Sequence, residues 1–251
     1  MPEIARSPED EALVSSLVGQ YLAQRSLIRN YLNSLDSFIS GAIGDDGPLA
    51  ALVHSVKYRM KDPVHLRAKL FRKMDEERAK GNQFPIDNGN FFLSVNDLGG
   101  YRILHLHTGQ GVEIHRVLLG IFEQASFDLH EPPYANIWDD EARKFYADLG
   151  IRPEFNPRMY SSVHYVIRAR STNVVTLEVQ VRTLADEIWG EIDHKINYPE
   201  AHPSVACSEQ IRVLARVASS CSRLVDSIMV SHAEYDSRPP TEPLASADER
   251  S

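Results

Sequence analysis

Cysteine is rare in this sequence, and long hydrophobic runs are absent. Only Cys207 and Cys221 occur among 251 residues, outside any CxxC spacing and without a matching histidine pattern. This excludes a disulfide framework and a zinc site, and it is typical of a reducing compartment. No stretch approaches the roughly eighteen apolar residues of a membrane span, and the acidic N-terminus lacks the basic start of a signal peptide. We therefore expect a cytoplasmic protein without a membrane partner.

Excess positive charge is also lacking. The formal net charge is -8, which argues against broad binding to duplex nucleic acid, because such binding requires a net basic face. The net charge does not exclude a local basic binding site. With 43% hydrophobic residues, the chain is long enough to bury the core of one domain with helical additions.

Helical patterns occupy both ends of the chain. Apolar residues recur at helical spacing from Pro8 to Ser40, which predicts one long or two short amphipathic helices. Asp62 and Pro63 are suited to open a further helix as N-cap and first-turn residue. Further helical patterns cover residues 111–126, 183–198 and 205–235.

Strand patterns lie in the middle of the chain. Residues 91–108 predict a strand with a kink at Gly99 and Gly100. The alternating segments 162–169 and 174–183 predict paired strands joined by a turn at 171–173. Between them, residues 129–160 are interrupted by four prolines, and we predict a long loop with a short helix there.

This order of elements predicts an α/β or α+β fold in which a sheet carries helices on its faces, with strand directions left open. We divide the chain into an N-terminal helical segment (1–50), a central domain (51–200), a C-terminal helix (201–237) and a tail (238–251). The tail is rich in proline and small polar residues, so we expect it to be disordered.

Two acidic residues are candidates for chemistry. We predict Asp97 at the end of an apolar strand and Glu178 inside another strand. Two carboxylates on adjacent strands could share a Mg²⁺ ion, which commonly needs only one or two protein acids besides substrate phosphates. The alternative for Glu178 is an ordinary solvated position on the outer face of a strand.

A basic run and an aromatic loop supply further candidates. The basic side chains stand close together before and inside the helix that begins after Asp62, and they could bind a polyphosphate or simply form a solvated helix face. In the segment NPRMYSSVHYVI, Tyr160 could stack on a nucleobase, and His164 or Arg158 could meet phosphate. The basic residues are Lys57, Arg59, Lys61, Arg67, Lys69, Arg72 and Lys73.

Taken in order, these segments resemble the synthetase domain of the RelA/SpoT family. The similarity runs from about Lys57 to Pro199 and includes R-x-K with a downstream lysine, DLGGYR, YSSVH, EVQVRT and WGEIDHKINY. The resemblance implies a mixed sheet flanked by helices, related to nucleotidyltransferases. It also implies transfer of the β,γ-pyrophosphate of ATP to the 3′-oxygen of GDP or GTP, which makes the alarmone (p)ppGpp. The chain looks like a small, stand-alone synthetase.

The resemblance also implies roles for individual residues. On the donor side, Arg59 and Arg102 would stack on the adenine of ATP, and Lys61, Lys69 and Arg72 would bind its triphosphate. Asp97 would hold Mg²⁺. Glu178 would be a second metal contact, a general base near the acceptor hydroxyl, or both. On the acceptor side, Tyr160 would stack on the base, and the remaining contacts would come from Arg158, His164, Gln180 and Arg182.

Three features depart from the family pattern. Met159 stands where a glycine commonly precedes the stacking tyrosine, and the upstream segment RPEFNPR is less basic than usual. His65 stands where a serine is common near the triphosphate. The acceptor loop therefore leaves other acceptors open, either an adenosine nucleotide or the 3′ end of tRNA, although tRNA is not favoured because it should require a basic surface track. A catalytically silent nucleotide-binding module is a further alternative.

The terminal helices need a role if no further domain covers them. They could complete the fold or pair between subunits, and small members of the family assemble as oligomers. We therefore expect a homo-oligomer formed through the terminal helices.

Overall fold

The computed structural model describes residues 6–159, 161–197 and 202–237. It contains seven strands and seven helices in the described residues. The helices are α1 (Pro8–Ile43), α2 (Pro63–Ala79), α3 (Phe91–Ser94), α4 (Gln110–Gln124), α5 (Asp140–Asp148), α6 (Leu184–Asn197) and α7 (Val205–Asp236). The strands are β1 (Ser55–Met60), β2 (Gly99–His105), β3 (Phe127–Leu129), β4 (Tyr134–Ile137), β5 (Arg152–Phe155), β6 (Ser162–Ala169) and β7 (Thr176–Thr183).

All seven strands belong to one mixed sheet. The strand order is β1-β2-β7-β6-β4-β5, and β3 pairs with β6. β2 and β7 are parallel, as are β4 and β5, whereas the other neighbours are antiparallel. The predicted α+β fold with a mixed sheet and flanking helices is confirmed.

One face of the sheet carries the main hydrophobic core. Leu177 and Val179 of β7 are fully buried on this face, and α1 lies against the sheet through Ile28 and Leu32. α4 lies on the same face, where Phe122 packs edge-on against the ring of Tyr165. Successive strand residues point to opposite faces, so Glu178 and Gln180 point away from this core.

The two terminal helices begin as their sequences predict. α1 is one continuous helix of 36 residues that starts with a capping box between Ser7 and Asp10. α7 starts at an N-cap formed by Ser204 and packs mainly against α6. A small second cluster of buried residues, which includes Trp189 and Ile211, lies between α6 and α7.

Two predictions about the central elements are wrong. Residues 91–94 form the short helix α3 instead of the beginning of a strand, and β2 starts only at Gly99. The hydroxyl of Thr176 holds the turn that follows α3 by donating to the carbonyl of Phe92 and to the side chain of Asn96. Asp97 therefore lies in a turn before the strand and not at a strand's end.

The predicted long loop at 129–160 contains two strands, β4 and β5, as well as a helix, and it begins at the last residue of β3. β3, β4 and β5 are short, and β5 lies at the edge of the sheet. Proline lacks the N–H that a central strand must donate, but an edge strand tolerates it, which is why Pro153 can lie in β5. The four prolines of residues 129–160 therefore favoured the prediction of a loop where β4 and β5 are strands.

The tail at 238–251 lies outside the described residues, so its predicted disorder stays a prediction. In the described part of the chain, no helix combines the length and the apolar character needed to cross a membrane.

Candidate active site

A row of polar side chains crosses the face of the sheet opposite the core. Lys57 on β1 lies beside Arg102 on β2, Arg102 beside Gln180 on β7, and Gln180 beside His164 on β6. The ring of Tyr134 on β4 then stacks on His164, with ring centroids 4.8 Å apart. Residues distant in sequence thus form a continuous polar surface.

A neighbouring row contains the predicted catalytic glutamate. Arg59 on β1 lies opposite Gly100 on β2, and Gly100 lies beside Glu178 on β7. A Cβ atom at Gly100 would have no other atom within 4 Å, so this position leaves open space between Arg59 and Glu178. That space is part of a cavity of about 120 Å³. Its lining also includes Lys57, Tyr58, Asp97, Tyr101, Arg102, Gln180 and Glu191.

Asp97 is held between two lysines at one end of this cavity. Lys61 Nζ donates to its Oδ2 at 2.7 Å and Lys69 Nζ to its Oδ1 at 2.6 Å. Burial acts to raise the pKa of Asp97, but the charges of Lys69 and Lys61 outweigh it and hold this pKa well below its usual range. Asp97 is therefore a carboxylate that stays ionised at any physiological pH.

The two lysines come from different elements. Lys61 follows β1 directly, and its backbone carbonyl accepts from the hydroxyl of Tyr21 on α1. Lys69 lies on α2, whose start is fixed by Asp62 accepting from the backbone N–H groups of Val64 and His65. Burial lowers the pKa of Lys61, and the attraction of Asp97 partly offsets this. One turn beyond Lys69, burial and the charge of Lys69 also lower the pKa of Lys73.

Glu178 is not the solvated strand residue that the sequence left as an alternative, since its side chain is only 15% exposed. His164 Nδ1 lies 2.8 Å from its Oε1, and Gln180 Nε2 donates to its Oε2 at 2.8 Å. Burial and the charge of Asp97 act to raise the pKa of Glu178, but His164 counteracts them and the pKa is lowered. Glu178 is thus an ionised carboxylate fixed by two neighbours.

The second ring nitrogen of His164 also has hydrogen-bonding partners. Its Nε2 lies 2.9 Å from Nδ2 of Asn136 and also contacts the hydroxyl of Ser162. Because an amide N–H₂ donates, Nε2 of His164 accepts. Nδ1 therefore carries the ring proton and donates a hydrogen bond to Glu178. β4 and β6 therefore orient this histidine toward the carboxylate.

Three acidic or basic groups of α6 that sequence reasoning did not single out also reach this face. Glu187 and Glu191 stand four residues apart and share one side of the helix. Arg102 Nη1 donates to both oxygens of Glu187, at 2.9 and 3.0 Å, and to Glu191 at 3.0 Å. The pKa of His194 is lowered by burial and then by the charge of Arg59, which indicates that this histidine also lies near the cavity. The four-residue spacing of Glu187 and Glu191 in the segment EIWGEIDHK was the available signal.

The remaining predicted site residues lie elsewhere. Arg72 is half exposed on α2 and pairs with Glu76 at 3.5 Å, and Arg158 is exposed in the turn after β5. Arg182 is buried beneath α6, where it contacts Glu187. Tyr160 lies outside the described residues.

A larger cavity of about 350 Å³ lies between α5, α7 and the ends of β2 and β7. His105, Arg182 and Asp186 are among the residues that line it. It shares no lining residue with the cavity that contains Asp97 and Glu178. Of these two cavities, Asp97 and Glu178 line only the smaller one, which is therefore the candidate active site.

A mixed sheet with flanking helices and two carboxylates in a cation-lined cavity defines an α+β protein whose candidate active site lies on the open face of the sheet. Residues 58–203 match the family model described as the region found in RelA/SpoT proteins. Since this match covers more than half of the chain, the protein belongs to the RelA/SpoT family. The resemblance seen in the sequence is confirmed.

Solved structures show the same fold at low sequence identity. Small alarmone synthetase 1 from Bacillus subtilis, bound to its product pppGpp, is 19% identical with a TM-score of 0.59, over 86% of this chain and 99% of that one. The same synthetase bound to AMPCPP is 18% identical with a TM-score of 0.50, over 85% and 94%. A GTP pyrophosphokinase family protein from Streptococcus pneumoniae is 16% identical with a TM-score of 0.53, over 93% and 100%. No curated protein matches the chain in sequence.

Proposed function

We propose that this chain is a pyrophosphokinase that transfers the β,γ-pyrophosphate of ATP to the 3′-hydroxyl of GDP or GTP, making (p)ppGpp. The observation that carries the proposal is the shared cavity of Asp97 and Glu178, with Asp97 bound by two lysines. Membership of the RelA/SpoT family and the ligands named for the Bacillus subtilis synthetase support it.

The donor base would lie between Arg59 and Arg102. Arg59 is paired with Gly100, so Arg102 is its diagonal neighbour across the antiparallel pair. Diagonal neighbours stand about 7–8 Å apart, which leaves room for a flat ring between two guanidinium planes. Planar guanidinium groups stack well on such rings. Gly100 keeps this space free of a side chain.

The triphosphate would lie beside Lys61 and Lys69, with Lys73 close by. Both lysines donate to Asp97. When a phosphate chain arrives, they can turn to its oxygens, which releases the Asp97 carboxylate for a cation. We place Arg72 at the outer edge of this group because its side chain is half exposed.

Mg²⁺ fits the two carboxylates present. Within residues 6–159, 161–197 and 202–237, no cluster of three or more acidic, histidine or cysteine side chains could hold a metal ion. Mg²⁺ usually needs only one or two protein carboxylates when substrate phosphates supply the rest. Asp97 and Glu178 would hold it, and when bound it offsets the charge that builds up on the phosphates.

Glu178 would accept the proton of the attacking hydroxyl. The acceptor 3′-oxygen attacks the β-phosphorus, the bond between this phosphorus and the α,β-bridging oxygen breaks, and AMP leaves with that oxygen. The hydroxyl proton passes to Glu178, which its lowered pKa keeps ionised at neutral pH. His164 and Gln180 hold the carboxylate in position.

On the acceptor side, we propose that Tyr160 stacks on the guanine and that Arg158 lies near the acceptor phosphates. His164 and Gln180 would line the acceptor ribose beside Glu178. Arg182 would support this side from below, because its side chain is buried.

The test is transfer of label from γ-labelled ATP with Mg²⁺ to GDP, GTP, ADP, ATP or deacylated tRNA in separate reactions. We expect label on guanosine nucleotides, and about 10³-fold less with Glu178→Gln, since a positioned general base contributes about 10²–10⁴-fold. Label only on an adenosine nucleotide or on tRNA would replace the acceptor while keeping the transfer. ATP binding without release of AMP with any acceptor would favour the silent nucleotide-binding module.

We further propose that a second copy of this chain covers one side of α7. Five apolar side chains recur at intervals of four and seven residues along this helix, and each is more than half exposed. Such spacing places them on one helix face. Arg216 and Glu234 flank opposite ends of this stripe on the same edge, so an antiparallel pair would bring opposite charges together. The stripe is Val213, Val217, Leu224, Ile228 and Tyr235.

The mass of the particle in solution, measured by light scattering, tests this interface. We expect a dimer or a larger assembly for the natural chain and a monomer for Leu224→Glu. Leu22→Glu, at an exposed apolar position on α1, is the matched control and should keep the natural mass. The same mass for all three chains would contradict the proposal.

A further inference from the structure

One carboxylate on α6 receives cations from three strands of the sheet. Glu187 contacts Lys57 on β1, Arg102 on β2 and Arg182 on β7. Its side chain is only 9% exposed, and that of Arg182 is 3% exposed. A buried carboxylate that gathers three cations is a fixed point between helix and sheet.

A series of hydrogen bonds leads from Glu187 to the proposed catalytic glutamate. Arg102 Nη1 donates to both oxygens of Glu187, and Arg102 Nε donates to Gln180 Oε1 at 3.3 Å. Gln180 Nε2 in turn donates to Glu178 Oε2 at 2.8 Å. The Arg102 guanidinium is therefore held by Glu187 at Nη1 and by Gln180 at Nε.

Glu191 provides an internal comparison. It lies one turn further along α6 and contacts two of the same cations, Lys57 and Arg102. Its side chain is 58% exposed, and ion pairs at such exposure contribute little because water screens them. Of the two glutamates, Glu187 is the one that can fix Arg102.

We propose that Glu187 is a positioning residue for the donor nucleotide: it anchors the Arg102 guanidinium so that its flat face points into the cavity. This inference rests on the proposed function, in which Arg102 stacks on the adenine of ATP. Glu187 itself touches neither reacting atom. Its effect falls on donor affinity, because a guanidinium that can swing away from the cavity stacks less well.

The experiment compares Glu187→Gln, Glu191→Gln and the natural chain. We expect Glu187→Gln to weaken binding of AMPCPP about 10-fold or more and to raise the KM for ATP similarly, with little change in the KM for the acceptor. Glu191→Gln, whose side chain also lines the cavity but is 58% exposed, should weaken AMPCPP binding less than Glu187→Gln does, and Glu187→Asp should recover part of the affinity that Glu187→Gln loses. A merely structural role would not separate donor from acceptor KM. Equal AMPCPP affinity in Glu187→Gln and the natural chain would overturn the inference.

A second variant separates positioning from loss of stability. Glu187→Gln leaves buried Arg182 without this carboxylate, which could destabilise the fold. In the double variant Arg182→Met with Glu187→Gln, that buried cation is gone. AMPCPP binding that stays weak in a folded double variant supports positioning of Arg102, whereas recovery to the natural affinity shows that Glu187 only neutralises Arg182. Absence of AMPCPP binding by the natural chain would overturn the proposed function and this inference together.

Discussion

Gly99 and Gly100 are neighbours in the sequence, yet they face opposite sides of the sheet and are needed for opposite reasons. A Cβ atom at Gly99 would come within 2.8 Å of Leu177 Cδ2 and 2.9 Å of Ile28 Cγ2. A Cβ atom at Gly100 would meet nothing within 4 Å. One glycine allows α1 to approach the sheet, and the other keeps the cavity open.

The same contrast holds for the two faces as a whole. The face toward α1 and α4 is closed by apolar side chains such as Leu177 and Tyr165, which are almost fully buried. The other face holds charges that satisfy one another, for example Asp97 with Lys61 and Lys69. Stability therefore depends mainly on the first face, whereas the second can exchange its internal ion pairs for a ligand.

The largest effect is expected from a substitution that fills the cavity on the polar face of the sheet. Gly100→Val should place a side chain between Arg59 and Glu178 and weaken AMPCPP binding by about 100-fold or more. Valine suits a strand, and the position has space for it, so the free energy of unfolding should change little. Calorimetric titration with AMPCPP and urea unfolding measure the two quantities. Unchanged AMPCPP affinity would show that the cavity is not the donor site.

A smaller effect, on the free energy of unfolding, is expected from a substitution on the face of the sheet that packs against α1. Gly99→Ala should lower the free energy of unfolding by about 2 kcal/mol, because overpacking a well-packed core costs about 1–3 kcal/mol. Gly100→Ala is the matched control, and the reduced freedom of its unfolded chain should leave stability equal or slightly higher. Urea unfolding of both variants tests this. Equal losses at the two glycines would contradict the assignment of faces.

The smallest effect concerns a buried carboxyl group of α6 that lines the larger cavity and not the one with Asp97 and Glu178. Burial raises the pKa of Asp186 to about 6, above its value in an unfolded chain. The folded state thus binds the proton more tightly, and its stability falls as pH rises from about 4 through 6. Between pH 5 and 7 this loss is about 1 kcal/mol.

Asp186→Asn should remove that pH dependence. The pKa of buried His105 is lowered to about 4, and since a histidine that loses its proton on folding favours stability at higher pH, it gives the opposite slope. The useful quantity is therefore the difference in unfolding free energy between the two chains across pH 5–7. A difference that does not vary with pH would contradict the raised pKa of Asp186.

Local patterns predicted the elements whose partners lie nearby in sequence. Asp62 and Pro63 opened α2 as expected, and alternation identified β6 and β7 as a pair. The strands β4 and β5 were missed because each has only four residues, too few for a strong alternation, and because prolines precede β4 and one lies within β5. Residues 91–94 were assigned to a strand because apolar residues alone do not distinguish a buried strand from a short buried helix.

The sequence by itself determined the family, the helical ends, and Asp97 and Glu178 as candidates, because these depend on ordered motifs and local spacing. Only the tertiary structure decided that Glu178 is mostly buried against His164, that Asp97 lies between two lysines, and that Glu187 contacts cations from three strands. These facts depend on the register between strands and on where α6 crosses the sheet. Burial and charge pairing arise from such long-range contacts, and no local pattern contains them.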